Sequence, residues 1–140
     1  MGMRCTIASE ALSFIRARAH AAAPREACGL LLGRDCAILT ASETANGAPD
    51  PLRRFEIDPA AIFAAQRSAR AGGPALIGYW HSHPSGDPRP SATDAAMADP
   101  DGRLWLIVGG AAIGLWRAVA AGAVEGRFDP VAWNEVRAAR

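Results

Sequence analysis

The chain predicts a mixed α/β (α+β) fold in one domain, and three observations carry that prediction. Apolar, strand-like runs alternate with helix-like segments along the sequence. Most of the strand-like runs are joined by short turns containing Gly, Pro or Asn. The length of 140 residues, half of them hydrophobic, is about one domain with a single core. No linker, repeat or shift in composition divides the chain, so a single domain over 1–140 is expected.

The elements follow in order. A first helix is expected over 9–20, with Ser9 as its cap and Leu12, Ile15 and Ala19 on one face, stopped before Pro24. Strands are expected at 27–32, 36–44 and 54–57, with the Pro- and Gly-containing loop from Asn46 to Leu52 before the third. Asp58 then Pro59 starts a second helix, because Asp caps well and Pro suits the first helical position. Gly72 and Gly73 end it. Residues 75–83 are apolar, rich in β-formers and halted by Pro84, the pattern of a buried strand. Ser91 caps a third helix, closed off by Pro100 and Gly102. Strands over 103–108 and 113–120 are joined around Gly109 and Gly110 as a hairpin, and a last strand is expected over 124–128. Asp129 and Pro130 repeat the cap-plus-proline signal, which predicts a short C-terminal helix carrying Trp133. Trp105 and Trp116 are expected in the core, and Trp80 in the core or lining a cleft.

Charge and composition exclude several partners. Fifteen basic and fourteen acidic residues leave a net charge of +1, and the arginines are scattered rather than clustered, so no nucleic-acid partner is expected. No apolar run approaches the roughly 20 residues that span a bilayer, so no membrane partner is expected. The opening residues lack the apolar stretch of a secretory signal, and Cys5, Cys28 and Cys36 form no Cys-x-x-Cys pair. A cytoplasmic chain with reduced cysteines is therefore expected, Cys28 serving as a small core residue. His20 is read as a solvated residue near the end of the first helix.

The chemistry concentrates at the end of the 75–83 strand. His81 and His83 stand two apart, so both side chains point to one face and reach one metal while Ser82 points away. After the turn Pro84-Ser85-Gly86-Asp87-Pro88-Arg89-Pro90, Asp94 falls in the first turn of the helix that Ser91 caps, within reach of the strand end. Two imidazoles and a carboxylate form the ligand set of an open zinc site, in which the fourth position is left to water and its pKa falls to about 7. Ser91 and Asp94 alone also satisfy a capping box. The combination of strand end, sharp turn and helix start is what makes the pattern specific.

The sequence His81-Ser82-His83-Pro84, followed by Pro90-Ser91-Ala92-Thr93-Asp94, resembles the JAMM motif of the MPN+ metalloprotease family. The segment Glu26-Ala27-Cys28-Gly29-Leu30-Leu31-Leu32-Gly33 is similar to the small stand-alone bacterial members. So are Arg54-Phe55-Glu56-Ile57-Asp58-Pro59 and the stretch from Arg103 to Gly109. The resemblance runs from about Ser9 to Arg117. It implies the MPN fold, a mixed sheet flanked by helices and similar in outline to the cytidine deaminases. It implies zinc, one per chain, held by His81, His83 and Asp94, with Glu26 as general acid/base and Ser91 stabilising the oxyanion. It implies hydrolysis of the peptide or isopeptide bond after the C-terminal Gly-Gly of a ubiquitin-like sulfur-carrier protein, freeing a C-terminal extension, a single amino acid or a conjugated protein. A homodimer is compatible with it. Loop composition places 46–54 and 87–89, with Arg53, Arg54 and Arg89, at the rims of the cleft.

Three other readings stand beside this one. Zinc deaminases carry His-x-Glu and Pro-Cys-x-x-Cys, which this chain lacks. A RadC-type protein linked to DNA metabolism shares the segment from His81 to Asp94, but not the opening Glu26-Ala27-Cys28-Gly29. A non-catalytic MPN scaffold is expected to have lost ligands, whereas Glu26, His81, His83, Ser91 and Asp94 are all present.

Overall fold

A computed structural model describes residues 4–137. In chain order the elements are β1 (Cys5–Ala8), α1 (Ser9–Ala22), β2 (Cys28–Arg34), β3 (Ala37–Thr44), α2 (Pro59–Arg70), β4 (Ala75–Ser82), α3 (Ala92–Met97), β5 (Leu104–Gly109), β6 (Ala112–Gly122), β7 (Gly126–Pro130) and β8 (Trp133–Val136). The eight strands form one mixed sheet in the order β7-β6-β5-β4-β2-β3-β1-β8. β4 runs parallel to β5 and antiparallel to β2, while β1 is parallel to both β3 and β8.

The two faces of the sheet are covered differently. On one, α1 lays Ala11, Leu12 and Ile15 against Ile7, Leu31, Ile38, Trp80, Leu104 and Leu106. On the other, Phe55, Trp105 and Phe128 pack with Ala98 at the end of α3. α2 stands on this side too, its Ile62 facing Tyr79 and Trp105 across a cavity of about 350 Å³. Its start follows from local chemistry: the Asp58 side chain accepts a hydrogen bond from the Ala60 N–H at 2.9 Å, with Pro59 at the first position. Trp80 is fully buried in the core, its indole N–H donating to the Ser42 carbonyl at 2.9 Å. Trp105 is buried as expected, whereas Trp116 is half-buried and donates to the Pro88 carbonyl. His20 is exposed and Cys28 buried, also as expected.

Four expectations are corrected. The C-terminal helix is absent among the described residues: β7 runs through Asp129 and Pro130, the Asp129 carboxylate accepts from the Ala123 N–H, and Trp133–Val136 adds to the sheet as β8. The open edge of β1, with Cys5 opposite Trp133, satisfies that backbone better than a single helical turn would. Ser9 does not cap α1. Ala8 holds that position, and the Ser9 hydroxyl donates instead to the Val136 carbonyl of β8 at 3.3 Å. Residues 54–57 form no strand: one bridge, Asn46 to Ile57, is what remains of it. Finally, Cys5 and Cys36 are joined in a disulfide, because β1 pairs with the start of β3 and brings their Cα atoms to 4.7 Å. No helix among the described residues is long and apolar enough to cross a membrane.

Candidate functional site

Strand alternation builds the site from β4. Ser82 turns toward the α1 side, where its Oγ accepts from the Ala27 N–H at 2.8 Å. His81 and His83 turn the other way. His81 sits between Cys28 of β2 and Ile107 of β5, is fully buried, and stacks on Phe55 at a centroid distance of 4.3 Å, with Trp105 edge-on at 5.7 Å. His83 lies one residue beyond β4, yet its N–H still bonds the Val108 carbonyl at 2.8 Å, which carries the β4–β5 ladder up to the site.

The turn after His83 then aims the ring. The Gly86 N–H bonds back to the His83 carbonyl at 2.9 Å, with Gly86 at φ 97°, a conformation that L side chains rarely adopt. The turn lies so close over Gly109 that a Cβ there would stand 2.6 Å from Asp87 and Pro88 backbone atoms. This geometry brings the Asp87 carbonyl to 2.8 Å from His83 Nδ1. With Nδ1–H donating to that carbonyl, Nε2 is the nitrogen turned into the site, a donor to Asp94 while the ring is charged and a lone pair once it is neutral.

Asp94 arrives from α3. The Ser91 Oγ accepts from the Asp94 N–H at 3.0 Å and the Asp94 carboxylate accepts from the Ser91 N–H at 2.9 Å, a reciprocal cap that fixes the carboxylate. The capping reading of these two residues is realised, and the same cap turns the Asp94 carboxylate toward His81 and His83. Asp94 Oδ1 is 3.1 Å from His81 Nε2, Oδ2 is 3.1 Å from His83 Nε2, and the two Nε2 atoms are 3.0 Å apart. Burial by itself would raise the Asp94 carboxyl, but the hydrogen bonds from His81, His83 and Ser91 outweigh it and hold the group well below the usual carboxylate range. Burial lowers His81; for His83 the hydrogen bond and charge of Asp94 overcome burial and raise it.

Glu26 completes the cluster from the start of β2. It is 6 % exposed, and its carboxylate lies with the His81 and His83 nitrogens in a group of possible ligand atoms within 4.8 Å of one another. Oε1 is buried without a partner among the described residues, and desolvation pushes the carboxyl up to about 7. The side chain is held by its backbone: the Glu26 N–H bonds the Pro51 carbonyl at 2.8 Å and the Glu26 carbonyl accepts from Asn46 Nδ2 at 3.0 Å.

These residues fit a divalent ion. The two Nε2 atoms lie 3.0 Å apart and each is 3.1 Å from one oxygen of the Asp94 carboxylate, close to the roughly 3.3 Å that separates the ligand atoms of a tetrahedral zinc with bonds of about 2.0–2.1 Å. Glu26 Oε1 beside them and His81 Nδ1 are both buried without a partner among the described residues, and the first marks a polar gap at the edge of the cluster. His81, His83 and Asp94 make the tighter set, and Glu26 is the outer member.

The structure thus brings Glu26, His81, His83 and Asp94 together, and Glu26, His83 and Ser91 all line a cavity of about 190 Å³ that also touches Arg53. Arg54 and Arg89 are exposed, and the Arg89 N–H bonds the Asp87 carboxylate. Three contributors escaped sequence reasoning. Phe55 pins the His81 ring, and its alternation with Glu56 and Ile57 was the available signal. Asn46 ties four backbone groups, donating to the Glu26 and Arg54 carbonyls and accepting from the Ala48 and Glu56 N–H groups. The Asp87 carbonyl that orients His83 carries no side-chain signal at all.

Comparison with known proteins agrees with this geometry. Residues 8–121 match the family described as prokaryotic homologs of the JAB domain. The chain is 36 % identical over 110 residues to a desampylase of Haloferax volcanii, covering 74 % of this chain and 79 % of that protein. It is 34 % identical over 76 residues to a probable TtuB-protein conjugate cleaving protease of Thermus thermophilus, covering 54 % of this chain and 51 % of that one. Among solved structures, a Desulfitobacterium hafniense protein superposes with a TM-score of 0.81 at 26 % identity over 96 % of this chain and 94 % of that one. A JAB1/MPN domain protein from Archaeoglobus fulgidus gives 0.60 at 20 % identity over 95 % of this chain and all of that one, which speaks for the fold. With its mixed sheet, its residue pattern and this match over most of its length, the chain belongs to the prokaryotic JAB-domain family.

Proposed function

We propose that this protein is a zinc-dependent peptidase or isopeptidase that cleaves the bond after the C-terminal Gly-Gly of a ubiquitin-like sulfur-carrier protein. The observation that carries the reading is the convergence of His81, His83 and Asp94 to within 3.1 Å of one another beside a buried Glu26 with an unpartnered oxygen. The likeness to a desampylase and to a TtuB-conjugate cleaving protease supports the substrate class.

His81, His83 and Asp94 would hold the zinc, which supplies Lewis acidity and an activated water when bound. Glu26 takes a proton from the attacking water and returns it to the departing nitrogen. A carboxyl raised to about 7 is suited to both steps near neutral pH. The Ser91 hydroxyl accepts from the Asp94 N–H, so its own proton is available to the oxygen of the substrate carbonyl as that oxygen gains charge. Phe55 and the Asp87 carbonyl keep the two imidazoles in the productive orientation.

The test is incubation with carriers bearing C-terminal extensions or an isopeptide-linked partner, with and without chelator, and weighing the products. Release of a carrier ending in Gly-Gly, abolished by chelator and restored by zinc, is the expected result. Intact substrates under all conditions would refute the proposal.

A further inference from the structure

His20, the third histidine, lies with Arg16 and Ala19 on one stripe of α1, at the spacing that puts side chains on a common face, and Ala23 follows just past the helix end. This stripe walls a cavity of about 240 Å³ whose opposite side is Ser82, His83, Pro84, Val108 and Gly110. The cavity meets the reaction cleft at His83 and Pro84, which line both. Its charge is distinctive. Arg16 and His20 are the basic residues that α1 brings to it, and among the described residues no Asp or Glu lines it. Another cavity, lined by Glu26 itself, contains Arg25 but also Glu43. The large apolar cavity by α2 is rimmed by Glu56, Asp99 and Asp101. Nor is Arg16 engaged elsewhere: Arg18, on the other side of α1, pairs with Glu43 at 2.8 Å, whereas among the described residues neither Arg16 nor His20 has an ion-pair partner.

Resting on the function proposed above, we propose that Arg16 and His20 form the leaving-group subsite and bind the α-carboxylate of a short leaving group, a single amino acid or a very short peptide. The direction follows from the roles of the two groups flanking the scissile carbonyl. Ser91 faces the carbonyl oxygen, and Glu26 hands its proton to the nitrogen, so the leaving group lies on the Glu26 side. From Glu26 the chain runs back through Pro24 and Ala23 into the last turn of α1, which is the wall of this cavity. In hydrolysis the carbon–nitrogen bond breaks, the carbonyl carbon keeps the oxygen of water, and the nitrogen leaves as an amine bearing the transferred proton. An amine that ends in a free carboxylate within one residue then meets the Arg16 guanidinium, a charge-assisted pairing, with the His20 imidazole beside it. The cavity lies below the 300–1,000 Å³ of sites that take drug-sized ligands, which suits one residue and not the surface of a folded protein. The enzyme is thereby biased toward trimming a C-terminal extension over separating isopeptide-linked proteins.

The experiment compares the zinc-loaded enzyme on one carrier ending in Gly-Gly-Ala with a free carboxylate, the same carrier ending in the alanine carboxamide, and the carrier linked to a lysine side chain. The expected result is a kcat/KM for the carboxylate about tenfold above the carboxamide, the size of one charged hydrogen bond. Arg16→Gln and His20→Gln lower the carboxylate rate toward the carboxamide rate and so erase that preference, and Arg16→Lys restores part of it. Equal rates on carboxylate and carboxamide by the parent, or variants that lose both substrates equally, would overturn the inference. A binding readout separates it from the reading beneath it: NMR titration of the parent and Arg16→Gln with alanine and with alaninamide. If no carrier is cleaved but alanine alone shifts the His20 ring resonances in an Arg16-dependent way, the subsite stands and the peptidase reading falls. If the carriers are cleaved and alanine shifts nothing, the subsite falls and the peptidase reading stands.

Discussion

The two faces of β4 show how one strand serves two ends. Facing α1, Trp80 is fully buried with its indole N–H satisfied by the Ser42 carbonyl, and Ser82 is satisfied by the Ala27 N–H. Facing α3, His81 is as deeply buried, yet its Nδ1 has no partner among the described residues, and neither has Glu26 Oε1. The first face is apolar packing with every donor matched. The second gathers four buried ionisable groups, an arrangement that packing alone would disfavour. Alternation lets the strand anchor the fold through one set of side chains while the other set is arranged for a ligand. Stability and chemistry are thus separable by substitution.

The largest expected effect lies on the packed face. Trp80→Ala should cost about 3–5 kcal/mol in denaturant unfolding, because it removes a buried aromatic and strands the Ser42 carbonyl. Below its unfolding temperature it should still bind zinc with the parent stoichiometry. Loss of metal from the folded variant would break the separation of the faces.

Glu26→Gln should act in the opposite sense on the metal-free protein. The folded carboxyl is raised from 4.5 to about 7, so below pH 4.5 both states are protonated and its burial costs nothing. As pH rises from there to about 7, the unfolded state releases its proton first and the folded state loses stability, by at most about 3 kcal/mol. Thermal unfolding should therefore show Glu26→Gln more stable than the parent at pH 8 and indistinguishable at pH 4. A variant equally or less stable at pH 8 would mean that Glu26 is not held in a desolvated site. With zinc bound, the same substitution should lower turnover by roughly 100-fold or more, the usual share of general acid–base catalysis, while leaving metal content intact. Parent-like turnover would remove Glu26 from the mechanism.

The smallest effect sharpens the contrast from outside both faces. Arg18 pairs with Glu43 across α1 and β3, but both side chains are substantially exposed. Arg18→Ala should change stability by less than about 1 kcal/mol and leave turnover untouched, measured by denaturant midpoint and initial rates.

Legibility in the sequence divides along physical lines. Elements set by local rules were visible: the Asp58-Pro59 start of α2, the Ser91 cap of α3 and the alternation that aims His81 and His83 all depend on residues within a few positions. What depended on distant partners was not. β1 is four residues long and has meaning only beside β3 and β8. Asp129-Pro130 looked like a helix start until β1, more than a hundred residues away, offered an edge. The Cys5–Cys36 disulfide depends on the same pairing, which no spacing announces. At the site, side-chain types were legible because chemistry demands them. The Asn46 clamp and the Asp87 carbonyl were not, since they act through backbone groups whose positions only the fold determines.

The most direct test of the central claim is zinc titration of the metal-free parent, Asp94→Ala and Glu26→Gln, followed by bound metal per chain. The account predicts one ion in the parent, one in Glu26→Gln and almost none in Asp94→Ala. Retention by Asp94→Ala together with loss from Glu26→Gln would contradict it, because the ion would then be held by the residue assigned here to move the proton.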